Sequence, residues 1–358
     1  MSDRRSILPG TAWSSRLLQF CHLVIILPIV LNMTAGAAAA PVPEKLADPL
    51  AAPAARVLMQ NLVNDYGRRT WSGQHEARDI PFIEKTTGRR PLIVEGDLVN
   101  YSPSRVARGS QPTNYTENLI TLAKAGHVIA CCWHWNAPTN LLDTPDQPWW
   151  RGFYTPATTF DLAKALADTN SADYGLLLRD IDTIAVQLKK LSDANIPVLW
   201  RPLHEAPGGG FWWGAKGPQP FKQLWRLLFH RLTTDHGLHN LIWVFSTDKP
   251  NLNFEWYPGD DVVDVIGFDG YPKDRTDVLK PAWERFMKRF DGNKLIALTE
   301  FGGVPDIERM QQHDVRWAWF ASWTGEFGPS GPASSPTNVV VRTYQSPTVV
   351  TLPNRLSH

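Results

Sequence analysis

The sequence predicts an α/β fold, a closed (β/α)8 TIM barrel in a single domain, on three observations. Short apolar runs alternate about eight times with segments of helical period, as parallel strands joined by crossover helices require. Ile181, Ile184, Leu188 and Leu191 share one helical face, and Leu224, Leu227, Leu228 and Leu232 share another, as helices of an outer ring should. The connections leaving the strands' C-terminal ends are long and rich in Trp, Gly and Pro, whereas Ile196-Pro-Val-Leu follows at once on the helix ending near Asn195.

Residues 1–40 precede the barrel and form their own segment. Arg4, Arg5 and Arg16 lead, an apolar run from Leu17 to Leu31 is broken by Pro28, and a small-residue stretch ends at Ala40. Charged start, apolar centre and small-residue cleavage zone describe a secretory signal, and the run is short for a membrane span. A secreted protein cleaved near Ala40 is expected, with one domain over residues 41–358 and no membrane partner.

The strands are expected at Thr70–Gly73, Pro91–Leu98, His127–Trp135, Ile196–Glu205, Asn240–Ser246, Asp264–Tyr271, Lys294–Phe301 and Trp317–Trp323. The Gly-, Pro- and Ser-rich stretch from Gly328 to Asn338 reads as a loop before a last packed segment. Asn114-Tyr115-Thr116 is a glycosylation acceptor pattern, or the cap of the helix that begins there.

The 36 basic and 35 acidic side chains nearly cancel, so no electrostatic bias points to nucleic acid or an anionic membrane. Sixteen Trp is more than a core requires, which predicts that surplus indole stacks on flat apolar ring faces such as those of sugars. Beyond the leader the cysteines are Cys131 and Cys132, read as two buried small residues in a strand, with a strained vicinal disulfide as the alternative.

Two glutamates close apolar strand-like runs: Glu205 after Arg201-Pro-Leu-His, and Glu300 after Leu295-Ile-Ala-Leu-Thr. Paired carboxyls at strand ends are the minimum equipment for cleaving a glycosidic bond, one as acid, the other as nucleophile or base. Glu205 precedes a Gly- and Trp-rich loop whose indoles should raise its pKa, which suits a general acid. It can instead cap a loop or pair with Arg201. Glu300 must stay ionised to attack, so donors are expected beside it, and Tyr271 on the neighbouring strand is one. His134 reaches a strand end and can bond a sugar hydroxyl. A zinc site from His75, His134 and His204 is the weaker reading, since no HExxH and no metal-type carboxylate set is present. Trp149 and Trp150, adjacent in a polar loop, are candidate stacking platforms, or a loop packing on itself.

Eight segments taken in order resemble the glycoside hydrolase family 26 endo-β-1,4-mannanases. They are Ser72-Gly-Gln, Asp97-Leu-Val-Asn-Tyr-Ser-Pro-Ser, Trp133-His-Trp-Asn-Ala-Pro, Arg201-Pro-Leu-His-Glu, Phe211-Trp-Trp-Gly-Ala-Lys-Gly-Pro, Trp256-Tyr-Pro-Gly-Asp-Asp, Leu298-Thr-Glu-Phe-Gly and Ala321-Ser-Trp-Thr-Gly. The resemblance implies a retaining catalytic domain over residues 41–358. It implies Glu205 as acid/base and Glu300 as nucleophile, with no cofactor and no metal. The implied substrate contacts are His134 and His204 near the cleaved unit, Tyr271 beside the nucleophile, Trp323 on the eighth strand, and Trp149 and Trp150 farther out. The expected partner is a polysaccharide (mannan, galactomannan or glucomannan), met by a monomer. One departure stands out: the family usually shows an indole where this chain has Gly210, which would reduce affinity or turnover if that position contacts sugar, although Phe211 or Trp212 could substitute in part. Left open are a related β-glycanase on mixed-linkage glucan or xylan, a sugar-binding barrel with impaired catalysis, and a metal-dependent hydrolase.

Overall fold

The computed structural model describes residues 40–249 and 254–353, so the expected leader, up to residue 39, lies outside the described residues. Ten strands form one sheet: β1 Thr70–His75, β2 Arg89–Pro91, β3 Ile93–Asp97, β4 Val128–Cys132, β5 Val198–Arg201, β6 Leu241–Thr247, β7 Val265–Gly270, β8 Leu295–Phe301, β9 Trp319–Ser322 and β10 Val349–Pro353. Eight of them run parallel in the order β1-β3-β4-β5-β6-β7-β8-β9, and β9 pairs with β1 to close the barrel. Every expected strand contains or overlaps one of these eight.

The ring helices form where the apolar period places one face on the sheet. Ile181, Ile184, Leu188 and Leu191 of helix Ala172–Asp193 are all fully buried, and each such side chain contributes roughly 1.5–3 kcal/mol over leaving it in water. Ser171 caps that helix, its hydroxyl accepting from the backbone N–H of Tyr174 at 3.1 Å. Leu224, Leu228 and Leu232 are buried as expected, while Leu227 is only partly so. The alternation weakens once: between β6 and β7 the described residues hold only a three-residue turn, Phe254–Trp256, in place of an α-helix.

Two strands lie outside the barrel and were not anticipated. Val349 and Val350 of β10 pair in parallel with Thr70 and Trp71, and β10 continues antiparallel to β2. The last packed segment is thus a helix, Thr337–Gln345, and a strand. Asn114 stands at the N-terminus of helix Tyr115–Lys124 in the left-handed region, φ 57°, with no side-chain cap bond. Cys131 and Cys132 are free, buried thiols on β4.

The tryptophan surplus has a different use from the one its number suggests. Trp133, Trp135, Trp200, Trp212, Trp213, Trp225, Trp243 and Trp317 are among the largest fully buried side chains. They pack between sheet, loops and helices, Trp133 stacking on Trp135 with centroids 4.2 Å apart. Most find partners for their indole N–H, as Trp135 does on Asp180 at 2.8 Å and Trp225 on the Val262 carbonyl at 3.1 Å. Composition counts indoles but does not locate them.

Candidate active site

The C-terminal ends of the strands surround a cavity of about 480 Å³ lined by His134, Tyr154, His204, Glu205, Phe211, Asp248, Asp269, Tyr271, Glu300, Trp323 and Phe327. Glu205, Glu300, His134, His204, Tyr271 and Trp323, all picked out in the sequence, therefore meet in one place. Trp149 and Trp150 do not line it. They form a short turn, Trp149–Arg151, with Trp150 half exposed at 50 % and the Arg105 guanidinium 5.5 Å from the Trp149 ring centroid.

Glu205 is not on the strand that leads to it. Strand β5 ends at Arg201, because Pro202 has no N–H for the ladder, and the chain turns sharply. Leu203 and Glu205 both take left-handed conformations, φ 52° and 53°, which cost non-glycine residues about 1 kcal/mol or more each and persist only where the surroundings hold them. Trp213 Nε1–H donates to the His204 carbonyl at 2.8 Å, and the Gly208 N–H to the Glu205 carbonyl at 3.0 Å. Neither Glu205 oxygen takes a hydrogen bond from a described residue, Arg201 included. Burial first, then the charges of Glu300, Asp269 and Asp248, raise the Glu205 pKa far above the usual carboxylate range.

Glu300 is held in the opposite way. A register shift in β8 leaves Thr299 as an extra residue opposite the Phe268–Asp269 step, so that Asp269 faces Glu300. Arg201 Nη2–H donates to Glu300 Oε2 at 2.8 Å, and the Tyr271 hydroxyl donates a short hydrogen bond to Oε1. The same guanidinium grips Glu95 Oε1 at 2.9 Å and Asp269 Oδ2 at 3.0 Å. Asp269 also accepts from Ser246 at 2.7 Å and Thr299 at 2.6 Å. Three buried carboxyls share one buried cation, and burial, followed for Asp269 by the charge of Glu300, raises the pKa of both Asp269 and Glu95.

His134 and His204 face each other, Nε2 to Nε2, at 3.0 Å, while His134 Nδ1–H donates to Asp97 Oδ2 at 2.7 Å. Burial works against a charge on either ring. For His134 the Asp97 carboxylate overcomes it and raises the pKa, whereas for His204 burial and the neighbouring His134 lower it well below the ordinary value. His75, the third histidine, lies apart with Nε2 3.5 Å from Cys132 Sγ and its ring on Trp323, centroids 4.0 Å apart.

Among the described residues, two clusters bring three possible metal donors within 4.8 Å of one another: Asp97, Cys132 and His134, and Glu205, Asp269 and Glu300. Neither has the chemistry of a cation cage. Asp97 is spent on His134, and burial with the charges of Asp97 and Glu95 drives the Cys132 thiol away from thiolate. In the second cluster Asp269 and Glu300 already neutralise Arg201.

The departure at Gly210 leaves open space, with no atom within 4 Å of where a Cβ would stand. Of the two candidates to fill the gap, Trp212 does not: it is 1 % exposed, its ring against Trp135 and Phe160 and its N–H on the Trp135 carbonyl. Phe211 does line the cavity, stacked on Tyr154 with centroids 5.6 Å apart. Tyr154, Asp248 and Phe327 are cavity residues that sequence reasoning missed, since each sits in a connection where nothing local marks it.

A parallel barrel whose C-terminal mouth gathers paired carboxyls, imidazoles and an indole has the build of the glycoside-hydrolysing barrels. Residues 47–351 match the model of glycosyl hydrolase family 26, and the chain belongs to that family. It is 45 % identical over 318 residues to a mannan endo-1,4-beta-mannosidase of Thermothelomyces thermophilus, covering 87 % of this chain and 64 % of that one. It is 34 % identical over 296 residues to mannan endo-1,4-beta-mannosidase A of Piromyces sp, covering 79 % of this chain and 46 % of that one. The chain thus spans roughly half to two thirds of the length of these curated relatives. Among solved structures, the Podospora anserina GH26-CBM35 β-(1,4)-mannanase superposes with TM-score 0.83 at 44 % identity over 87 % of this chain and 69 % of that one. A β-mannanase from a symbiotic protist of the termite Reticulitermes speratus, complexed with gluco-manno-oligosaccharide, gives 0.77 at 30 % identity over 88 % of this chain and 99 % of that one.

Proposed function

We propose that this chain is a secreted, endo-acting glycoside hydrolase that cleaves internal β-1,4-mannosidic linkages of mannans with net retention. The observation that carries the reading is the pair Glu205 and Glu300. Each brings a carboxylate oxygen within 4.8 Å of the other, close to the roughly 5 Å separation of retaining enzymes and short of the wider gap that admits a water in inverting ones. Their environments divide the labour: Glu205, desolvated and without a hydrogen bond from a described residue, has its pKa raised, while Arg201 and Tyr271 each donate a hydrogen bond to the Glu300 carboxyl.

In the proposed sequence Glu300 attacks the anomeric carbon as Glu205 protonates the departing glycosidic oxygen, giving a glycosyl ester on Glu300. Glu205, now ionised, takes a proton from water, the hydroxide opens the ester, and the Glu300 carboxylate is regenerated. His134, fixed by Asp97, and His204 are assigned to hydroxyls of the sugar at the cleavage point, and Trp323 to its apolar face. Trp149 and Trp150 are assigned to more distant units. Residues 1–40 are read as the leader that exports the domain to where polysaccharide is met.

The mannosidase names of the relatives support mannan over glucan or xylan as substrate. Release of reducing sugar from mannan, lichenan and xylan, measured side by side, tests this. Faster release from lichenan or xylan than from mannan would replace the substrate assignment, and a first product of inverted anomeric configuration would overturn the mechanism.

A further inference from the structure

Four carboxyls line the cavity: Glu205, Asp248, Asp269 and Glu300. The first and last carry the proposed reaction, and Asp269 is bound to Arg201. Asp248 is left, one residue past the end of β6, which lies beside the β5 strand leading to Glu205.

Its side chain lies against the turn that carries Glu205. A Cβ added at Gly208 would stand 2.4 Å from Asp248 Oδ2 and 2.9 Å from Oδ1, so the glycine exists to let this carboxyl in. Gly208 in turn bonds the Glu205 carbonyl through its N–H. Asp248 Oδ1 is buried without a hydrogen-bond partner among the described residues, which folding alone gives no reason to tolerate. Oδ2 lies 2.9 Å from Lys249 Nζ, on a side chain half in solvent.

We infer that Asp248 is a positioning residue for Glu205: it supports the strained turn that carries it and sets a negative charge behind its carboxyl. The inference rests on the reading of Glu205 as the acid/base. Glu300 on β8, Asp269 on β7, Tyr271 just beyond β7, and Arg201 on β5 also face Glu205, with His204 beside it in the chain and His134 across the cavity. Of the carboxylates around it, Asp248 has its cation in solvent, so its field on Glu205 is set by how well Lys249 screens it. The charge of Asp248 holds Glu205 protonated, and the charge of Lys249 opposes that.

Asp248→Asn keeps the shape of the side chain and removes its charge. The basic limb of the kcat/KM profile on soluble mannan should then move down by about half a pH unit or more, with the acidic limb in place. Lys249→Met should move the basic limb up, an opposite sign that loss of packing alone does not produce. Superimposable basic limbs in wild type and Asp248→Asn overturn the inference. If Asp248→Asn does not fold, Lys249→Met decides: an upward move supports the inference and an unmoved limb overturns it. A wild-type chain that hydrolyses no polysaccharide at any pH overturns the functional reading instead. The charge relation is then read from the 13C carboxyl titration of Glu205 in the same proteins, where the same directions support it and coincident curves overturn it.

Discussion

Arg201 Nη2 and Glu300 Oε2 lie 2.8 Å apart, and that contact belongs to a larger buried group in which one guanidinium serves Glu95, Asp269 and Glu300 together. The nucleophile proposed for the reaction is therefore also part of what neutralises the barrel interior. Changes at either residue should be read on stability as well as on turnover.

Glu300→Ala should leave a folded barrel, because Glu95 and Asp269 still balance Arg201, and lower kcat on mannan by about 10³-fold or more. Azide, entering the vacated space, should restore some bond cleavage and give a product of inverted configuration. Near wild-type turnover in this variant would remove Glu300 from the mechanism.

Arg201→Met leaves three buried carboxyls without a cation and should cost about 3–5 kcal/mol in urea unfolding. Adding Glu95→Gln should return part of that loss. Additive effects in the double variant would show that the group does not act as one network.

Glu205→Gln should abolish mannan cleavage yet retain the first step on a mannoside with an activated leaving group, seen as a burst followed by slow release. Its stability follows a definite sign. The folded pKa of Glu205 is raised, so the stability it contributes is complete below its unfolded value of about 4.3 and fades as pH climbs through the folded value. The glutamine variant never ionises, so its Tm should match wild type near pH 4 and exceed it increasingly at alkaline pH. A pH-independent difference would mean that Glu205 is not kept neutral.

Gly210→Trp restores the indole usual in the family at a place with room for it. The expected outcome is unchanged stability and a lower KM for mannan, with kcat little altered. An unchanged KM would mean that Phe211 and Tyr154 already meet the sugar there.

Trp150→Ala removes an exposed ring and should change stability by no more than about 0.5 kcal/mol. Its effect should fall on KM for the polymer and spare short oligosaccharides. Equal effects on both would place Trp150 close to the point of cleavage.

Much of this molecule was legible in its residues. The barrel strands could be read because a strand buried on both faces, such as Leu241–Thr247 or Leu295–Phe301, is a continuous apolar run between polar loops. Glu205 and Glu300 stood out because each ends such a run. The left-handed turn at Leu203 and Glu205 was not legible, because neither residue type favours it and tertiary contacts impose it. Nor was the extra residue at Thr299, which depends on how β8 registers against β7. Asp248 follows a strand as any capping residue would, and only the missing side chain of Gly208, far off in sequence, reveals its place. Strand β10 escaped because five residues ending in proline carry too little pattern to be read alone.

Strand β1 meets β9 across the closing seam and, at Thr70 and Trp71, also pairs with Val349 and Val350 of β10, so the first strand is joined to almost the last described residues. A ribosome emitting this chain N-terminus first would finish nearly every ring helix before the seam could close. Until then the edge of β1 offers unpaired amides to any passing strand. Folding should accordingly be slow and nearly all-or-none, with aggregation rather than a stable half-barrel as its failure. A nick in the turn between helix Thr337–Gln345 and β10 should therefore be more damaging to refolding than to a barrel already closed.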